Sequence, residues 1–319
     1  MNEKAHGLAR VALLFPGQGS QRVGMGQELA ANFRVAKEVF ELADETLGFF
    51  LSRLCFEGPE EELRLTANTQ PALLTTSIAA LRVLETELGI EPEMAAGHSL
   101  GEYSALVAAG AIDFAQALKA VRARGHYMQQ AAPPGSGTMA AIIGLELAKV
   151  AEICQAVSTD GQLVTPANLN APGQIVIAGH TAAVRRALEQ AKAQGARMSV
   201  ELNVSAPFHC PLMAPAKEAM APVLEQLTVR PLKFGVIANV TAQINRDPQR
   251  VVPLLLEQIT APVRWEESMR LLANSGVTLA IEVGSGKVLC GLMRRIDKNV
   301  KAIAFEDLES LKTVRQAFG

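Results

Sequence analysis

The sequence predicts an α/β protein with a mostly parallel main sheet and a smaller unit inserted into it. Two observations predict this. Short apolar runs bounded by Gly or Pro alternate with longer segments of helical period, and the rhythm of the chain changes after residue 131. Taking the elements in order, Val11–Phe15 reads as a strand that stops at Pro16-Gly17-Gln18-Gly19-Ser20-Gln21, a stretch too rich in glycine for regular structure. Helical patterns cover 26–47 and, after a cap near Gly58-Pro59, 60–65 and 71–88. Met94–Gly97 is a short buried strand feeding His98-Ser99-Leu100-Gly101 and a helix through Ala109, and a further helix covers 113–131.

Residues 132–137 (Ala-Pro-Pro-Gly-Ser-Gly) concentrate turn formers as no other segment does, and mark a boundary. Beyond it, segments at 138–144, 146–157, 163–168, 174–178, 181–194 and 197–202 spell β-α-β-β-α-β, the ferredoxin-like order. The expected division is an inserted subdomain at 132–206 and a main subdomain made of 1–131 and 207–319, with strands near 233–238, 278–283 and 301–304.

Composition narrows the function. The chain of 319 residues is 49% hydrophobic and 19% charged, which excludes an intrinsically disordered protein. Aromatics are only 4%, and 30 basic residues face 32 acidic ones for a net charge of −2, which argues against a nucleic-acid partner. Residues 105–112 are among the longest apolar runs, far short of the ~18 residues of a membrane span. Residues 1–10 are followed by no signal-peptide core, so the expected location is the cytoplasm. Cys55, Cys154, Cys210 and Cys290 lie far apart, which suits reduced thiols and neither a disulfide framework nor a metal site.

The chemistry-bearing motif is Gly97-His98-Ser99-Leu100-Gly101, a G-x-S-x-G pentapeptide between a short strand and a helix. Flanking glycines permit a strained turn that lifts the serine above the sheet, and the following helix aims its positive end at the same point. An ordinary strand-to-helix turn with a serine cap is the alternative that pattern alone leaves open. A serine nucleophile needs a base. His6 belongs to the N-terminal tail, His180 opens a helix in the insertion, and His98, adjoining the serine, turns away from it in such an elbow. His126 and His209 remain, and His209 sits in a loop at the re-entry to the main subdomain, as a base or as a cap for the helix that follows. Two nucleotide readings fail. The turn Gly17-Gln18-Gly19 continues to Arg22 where a dinucleotide fingerprint needs glycine, and Gly286-Lys287 has Ile281 and Val288 where a phosphate loop needs Gly and Ser or Thr.

Phe15-Pro-Gly-Gln-Gly-Ser-Gln21, Gly97-His-Ser-Leu-Gly-Glu-Tyr103, Arg124-Gly125, Asn170-Ala-Pro-Gly-Gln-Ile-Val-Ile-Ala-Gly179, Ala206-Pro-Phe-His-Cys210 and Glu282-Val-Gly-Ser-Gly-Lys-Val-Leu289 follow one another along the chain. In this order they resemble the malonyl-CoA:acyl carrier protein transacylases of fatty acid and polyketide synthesis, from about residue 10 to residue 305. The resemblance implies an α/β-hydrolase-like main subdomain with a ferredoxin-like insertion and a ping-pong transfer of malonyl through Ser99. It implies His209 as base, the backbone N–H groups of Gln18 and Leu100 as oxyanion hole, and the carbonyl of Gln258, which stands ahead of Pro262-Val-Arg-Trp265, as the group orienting the histidine. It assigns Arg124, Met128, Phe208, Asn170 and Gln174 to substrate binding, with Arg124 pairing the malonyl carboxylate.

Leu100 and Phe208 resemble the malonyl-selecting form, while Pro207 departs from the commonest polyketide form and leaves extender choice open. The resemblance implies no cofactor and no metal, since malonyl-CoA is a substrate and the acceptor is an acyl carrier protein bearing phosphopantetheine. It further implies a monomer. An acidic carrier calls for a local basic cluster, which Lys287, Arg294 and Arg295 supply despite the near-neutral whole. A thioester hydrolase on the same scaffold is the alternative, and it would lack the need for Arg124. A non-catalytic docking subunit would be expected to have lost Ser99 or His209, and both are present.

Overall fold

The computed structural model describes residues 10–133, 135–159, 161–204 and 206–318. Among them, ten strands form two sheets: β1 (Val11–Phe15), β2 (Met94–Gly97), β3 (Gly137–Ile143), β4 (Val164–Ala171), β5 (Gln174–His180), β6 (Met198–Glu201), β7 (Gly235–Ala238), β8 (Gln243–Asn245), β9 (Leu279–Val283) and β10 (Lys301–Phe305). One sheet has the order β10-β9-β1-β2-β7-β8 and is parallel except for the edge strand β8; the other, β4-β5-β3-β6, is antiparallel. The molecule is therefore a mixed α/β protein with a mostly parallel sheet and a separate antiparallel sheet.

The unbroken apolar run of β1 has a physical cause: the strand is buried on both faces, Val11, Leu13 and Phe15 in one core and Ala12 and Leu14 in the other. β1 and β2 are parallel neighbours with Phe15 beside Gly97, so the turns that follow them leave the same end of the sheet and bring Gln18 and Ser99 to one rim. The antiparallel sheet has two unlike faces. Ala140, Ile142, Ile175 and Ile177 pack against its own helices Leu147–Val157 and Thr181–Ala193, whereas Met139, Val176 and Ala178 join the core of the parallel sheet. A parallel bridge, with Leu169 N–H donating to Val263 O and Val263 N–H to Ala167 O, both at 2.9 Å, ties β4 to the segment ahead of helix Trp265–Asn274.

Several elements differ from the sequence expectation, among them helices Leu51–Glu57 and Leu308–Phe318, which it did not include. The helix expected over 26–47 is two, Gln27–Asn32 and Arg34–Leu47, because Phe33 is extended (φ −127°, ψ 120°) and packs against the core. The helix expected to open at Pro71 opens at Thr66, with Pro71 inside it; the Ala67 carbonyl that proline cannot satisfy accepts instead from Arg122 Nη1 at 2.6 Å. Strand β8 was absent from the sequence reading because three edge residues are too short to display alternation. Among the described residues, no helix is long and apolar enough to cross a membrane.

Candidate active site

Ser99 occupies the turn between β2 and helix Gly101–Ala108 with φ 52°, in the left-handed region that costs a residue with a Cβ. Only glycine fits at the two neighbouring positions. A Cβ on Gly97 would lie 1.9 Å from the carbonyl of Gly101, and one on Gly101 would lie 2.1 Å from the carbonyl oxygen of Phe15. The side chain of Asn239, just beyond β7, clamps this turn by accepting from Ser99 N–H at 2.7 Å and donating to Gly97 O at 2.7 Å. A strained serine so held stands at the positive end of a helix, poised for attack on a carbonyl.

His209 meets it from the far end of the chain. Ser99 Oγ and His209 Nε2 are 2.7 Å apart, and His209 Nδ1 lies 2.9 Å from the backbone oxygen of Gln258. A carbonyl can only accept, so Nδ1 carries the proton and Nε2 offers its lone pair to the serine hydroxyl. Burial first, and the positive charge of Arg124 second, push the His209 pKa down to about 3, which keeps the ring neutral and able to take a proton.

The cap alternative fails, because Cys210 is the residue that precedes the short 3-10 turn Pro211–Met213 and no side chain caps it. His126 is exposed on helix Phe114–Gln130, so the other candidate base is remote from the serine. His98 pairs with Asn170 Oδ1 at 2.9 Å and rests on Trp265, and His180 Nδ1 accepts from Leu163 N–H at 3.0 Å. His6 lies outside the described residues.

Arg124 is 1% exposed, although it lies in a helix that shows solvent on its other face. Its Nη1 donates to Gln70 Oε1 at 2.8 Å, and its Nη2 donates to Gln258 Oε1 at 2.8 Å and to Ser99 Oγ at 3.1 Å, while the guanidinium lies 5.7 Å from the centre of the Tyr103 ring. Every one of these acceptors is neutral. A buried guanidinium whose acceptors are all neutral keeps a charge with which it can pair an incoming carboxylate.

Beneath it lies Glu102, 3% exposed, whose Oε2 accepts from Gln258 Nε2 at 2.7 Å and from Asn239 N–H at 3.1 Å. Burial lifts this carboxyl to about 7, against the hydrogen bonds from Gln258 and Asn239 and the charge of Arg124. Glu102, Gln70 and Asn239 escaped the sequence reading. Glu102 stands one helical turn after Ser99 inside the quoted motif and was findable there, whereas Gln70 and Asn239 carry no local signal.

Ser99, His209 and Arg124 open onto a cavity of about 240 Å³. Gln18, Leu100, Met128, Asn170, Gln174 and Phe208 also line it, so the structure brings these sequence-predicted residues together around the serine. Gln258 does not line it; fully buried, it supports His209 and Arg124 from behind. The antiparallel sheet supplies one wall through Met139, Asn168 and Val176, and Leu289 and Leu292 supply another. The side chain of Gln174 accepts from Arg295, and Lys287, Arg294 and Arg295 are all exposed on or beside helix Val288–Ile296, whose Val288, Leu289 and Leu292 line the cavity. Cys210 is buried with its Sγ donating to Pro207 O at 3.1 Å and its pKa pushed up to about 11, so it is a packed thiol and no nucleophile. Among the described residues, no cluster of His, Cys, Asp and Glu could hold a metal ion.

Residues 12–306 match the family model of the acyl transferase domain. The chain is 48% identical over 309 residues to the malonyl CoA-acyl carrier protein transacylase of Bacillus subtilis strain 168, covering 97% of each chain. It superposes on the malonyl CoA-acyl carrier protein transacylase of Coxiella burnetii with a TM-score of 0.95 at 41% identity, covering 98% of each chain. It also superposes, with a TM-score of 0.94 at 45% identity over 97% of this chain and 100% of the other, on a malonyl-transacylase solved in complex with its type II polyketide synthase acyl carrier protein.

Proposed function

We propose that this chain, which belongs to the acyl transferase domain family, moves a malonyl group from malonyl-CoA to the phosphopantetheine thiol of an acyl carrier protein. One observation carries the reading: the buried Arg124 guanidinium lies 3.1 Å from the Oγ of a serine that is itself 2.7 Å from a neutral histidine. In malonyl thioesters a single methylene separates the reacting carbonyl from the free carboxylate. The cation that recognises the carboxylate must therefore stand within a few ångströms of the nucleophile, as Arg124 does.

In the first half-reaction Nε2 of His209 takes the proton of Ser99 while Oγ attacks the thioester carbonyl. The backbone N–H groups of Gln18 and Leu100 at the cavity rim receive the oxyanion. The tetrahedral intermediate expels the CoA thiolate, which leaves with the proton held by His209. In the second half-reaction the carrier thiol gives its proton to His209 and attacks the malonyl-serine, and His209 passes that proton to the departing Oγ of Ser99. The Gln258 carbonyl holds the histidine tautomer throughout, in place of the carboxylate of a full triad. Met128, Phe208, Asn170 and Gln174 shape the acyl pocket, Asn170 by way of His98.

The same reading extends to architecture and setting. The element order β3, helix, β4, β5, helix, β6 and the sheet order β4-β5-β3-β6 support a ferredoxin-like insertion at 132–206. The parallel sheet with Ser99 on a strand-to-helix elbow supports an α/β-hydrolase-like subdomain of 1–131 and 207–319. The constellation is complete within one chain and all four cysteines are free and buried, which supports a cytoplasmic monomer. The pathway served is fatty acid synthesis or polyketide synthesis with a discrete acyltransferase.

A thioester hydrolase would use the same serine, but it has no use for Arg124, and the relatives are transacylases. Incubation with labelled malonyl-CoA is expected to leave a malonyl adduct on Ser99 that a phosphopantetheinylated carrier protein discharges faster than water does. No adduct, or hydrolysis outpacing transfer, overturns the reading.

A further inference from the structure

Recognition of a carboxylate by Arg124 depends on where its guanidinium is held, and that depends on one amide. Gln258 Oε1 accepts from Arg124 Nη2 at 2.8 Å, while Gln258 Nε2 donates to Ser99 O at 3.0 Å and to Glu102 Oε2 at 2.7 Å. A primary amide can turn over, exchanging its oxygen and its NH2. Turned over, it would aim NH2 at a guanidinium that also only donates, and release Arg124 from one of its anchors. The carboxylate of Glu102 accepts only, so with the shorter of the two hydrogen bonds to the NH2 of Gln258, beside that to Ser99 O, it helps commit the oxygen to Arg124.

Glu102 has a second hold on the same region. Its Oε2 accepts from Asn239 N–H at 3.1 Å, and the side chain of Asn239 accepts from Ser99 N–H. The two hydrogen bonds that Glu102 receives both favour its ionised form, against the burial that lifts the carboxyl. Behind a guanidinium whose direct acceptors are all neutral, Glu102 is also a buried acidic group within electrostatic reach of Arg124.

We propose that Glu102 is a positioning residue for acyl selection, holding the Gln258 amide in the orientation that aims Arg124 at the substrate carboxylate. It touches no substrate and acts through Gln258. The inference rests on the malonyl-transfer reading and names the device behind its selectivity.

The test compares kcat/KM for malonyl-CoA and acetyl-CoA in the wild type, Glu102→Gln and Glu102→Asp, together with fluorophosphonate labelling of Ser99, which needs no carboxylate. A neutral amide at 102 can offer Gln258 either its oxygen or its NH2, which leaves the Ser99 carbonyl as the remaining acceptor that holds the Gln258 NH2. Glu102→Gln is therefore expected to lower the malonyl-to-acetyl ratio by about tenfold or more, mainly through the KM for malonyl-CoA, while acetyl transfer and labelling fall far less. Glu102→Asp, which keeps the charge, is expected to recover part of the ratio.

An unchanged ratio, or malonyl, acetyl and fluorophosphonate reactivity falling together, means a merely structural role and overturns the proposal. Should Glu102→Gln not fold, Gln258→Met removes the amide while leaving the backbone carbonyl on His209. A ratio that Glu102→Asp lowers in the wild type but no further beside Gln258→Met supports the proposal, and one that it lowers equally in both, or that Gln258→Met retains, overturns it. A wild type that labels with fluorophosphonate but never with malonyl-CoA refutes the malonyl reading itself, a result distinct from either.

Discussion

Ser99 Oγ lies 2.7 Å from His209 Nε2 across 110 positions of sequence, and the carbonyl of Gln258 fixes which nitrogen of that ring faces the serine. On the proposed mechanism the pair acts as a unit, so removing either member is expected to remove most of the chemistry. Ser99→Ala is expected to abolish the malonyl adduct, and His209→Ala to slow its formation by about 10²–10⁴-fold. Intact-mass measurement after rapid mixing with malonyl-CoA reads both.

On the proposed malonyl transfer, Arg124 would discriminate by what it is left without. An acetyl group offers the guanidinium nothing, whereas a malonyl group pairs it, and sites of this kind separate substrates by on the order of 10⁴. Arg124→Ala is expected to lower malonyl transfer steeply while raising the relative acceptance of acetyl-CoA. The ratio of the two kcat/KM values measures it.

The buried histidine links stability to pH. In the unfolded chain an imidazole titrates near about 6.5, whereas in the fold His209 stays neutral to about 3. Between those values the unfolded state binds the extra proton, so stability falls as pH drops through this window and is undisturbed by His209 above it. Relative to His209→Gln, the wild type is expected to lose melting temperature progressively from about pH 6.5 toward pH 4. Thermal scans of both proteins across that range check it.

The elbow tolerates no side chain at its flanks. A methyl group on Gly101 would meet the Phe15 carbonyl oxygen at 2.1 Å, where backbone has nowhere to move without disturbing β1. Gly101→Ala is expected to cost about 3 kcal/mol or more in urea unfolding and to displace Ser99 from His209.

Lys287 and Arg294 stand exposed on or beside helix Val288–Ile296, which contributes Leu289 and Leu292 to the cavity wall. Charge steering acts chiefly on association. Lys287→Glu with Arg294→Glu is expected to slow carrier binding about tenfold at low salt and to flatten its salt dependence. Stopped-flow association at two ionic strengths separates this from a change in dissociation.

The local features of this protein were determined by sequence alone. Five apolar residues in an unbroken run make β1 a strand buried on both faces, and glycines at 97 and 101 around Ser99 make a turn no other residues could close. The β-α-β-β-α-β rhythm after residue 137 was legible because helix and strand periods are local properties of the chain. The break at Phe33 and the helix start ahead of Pro71 were not legible, since a core contact decides the first and the guanidinium of Arg122 compensates the second.

The same division runs through the site. The motif displayed Ser99, but its partner stood open between His126 and His209, and only the folded chain puts one on solvent and the other on the serine. Read alone, Arg124 is an ordinary helical cation; the tertiary structure buries it against Gln70, Ser99 and Gln258 from three other segments. Glu102, Gln70 and Asn239 have roles that exist only through such contacts. Sequence decides what a residue and its near neighbours can adopt, because steric and periodic constraints act over a few bonds. Hydrogen bonds between segments more than a hundred residues apart depend on how the sheets pack, and packing is a property of the whole chain.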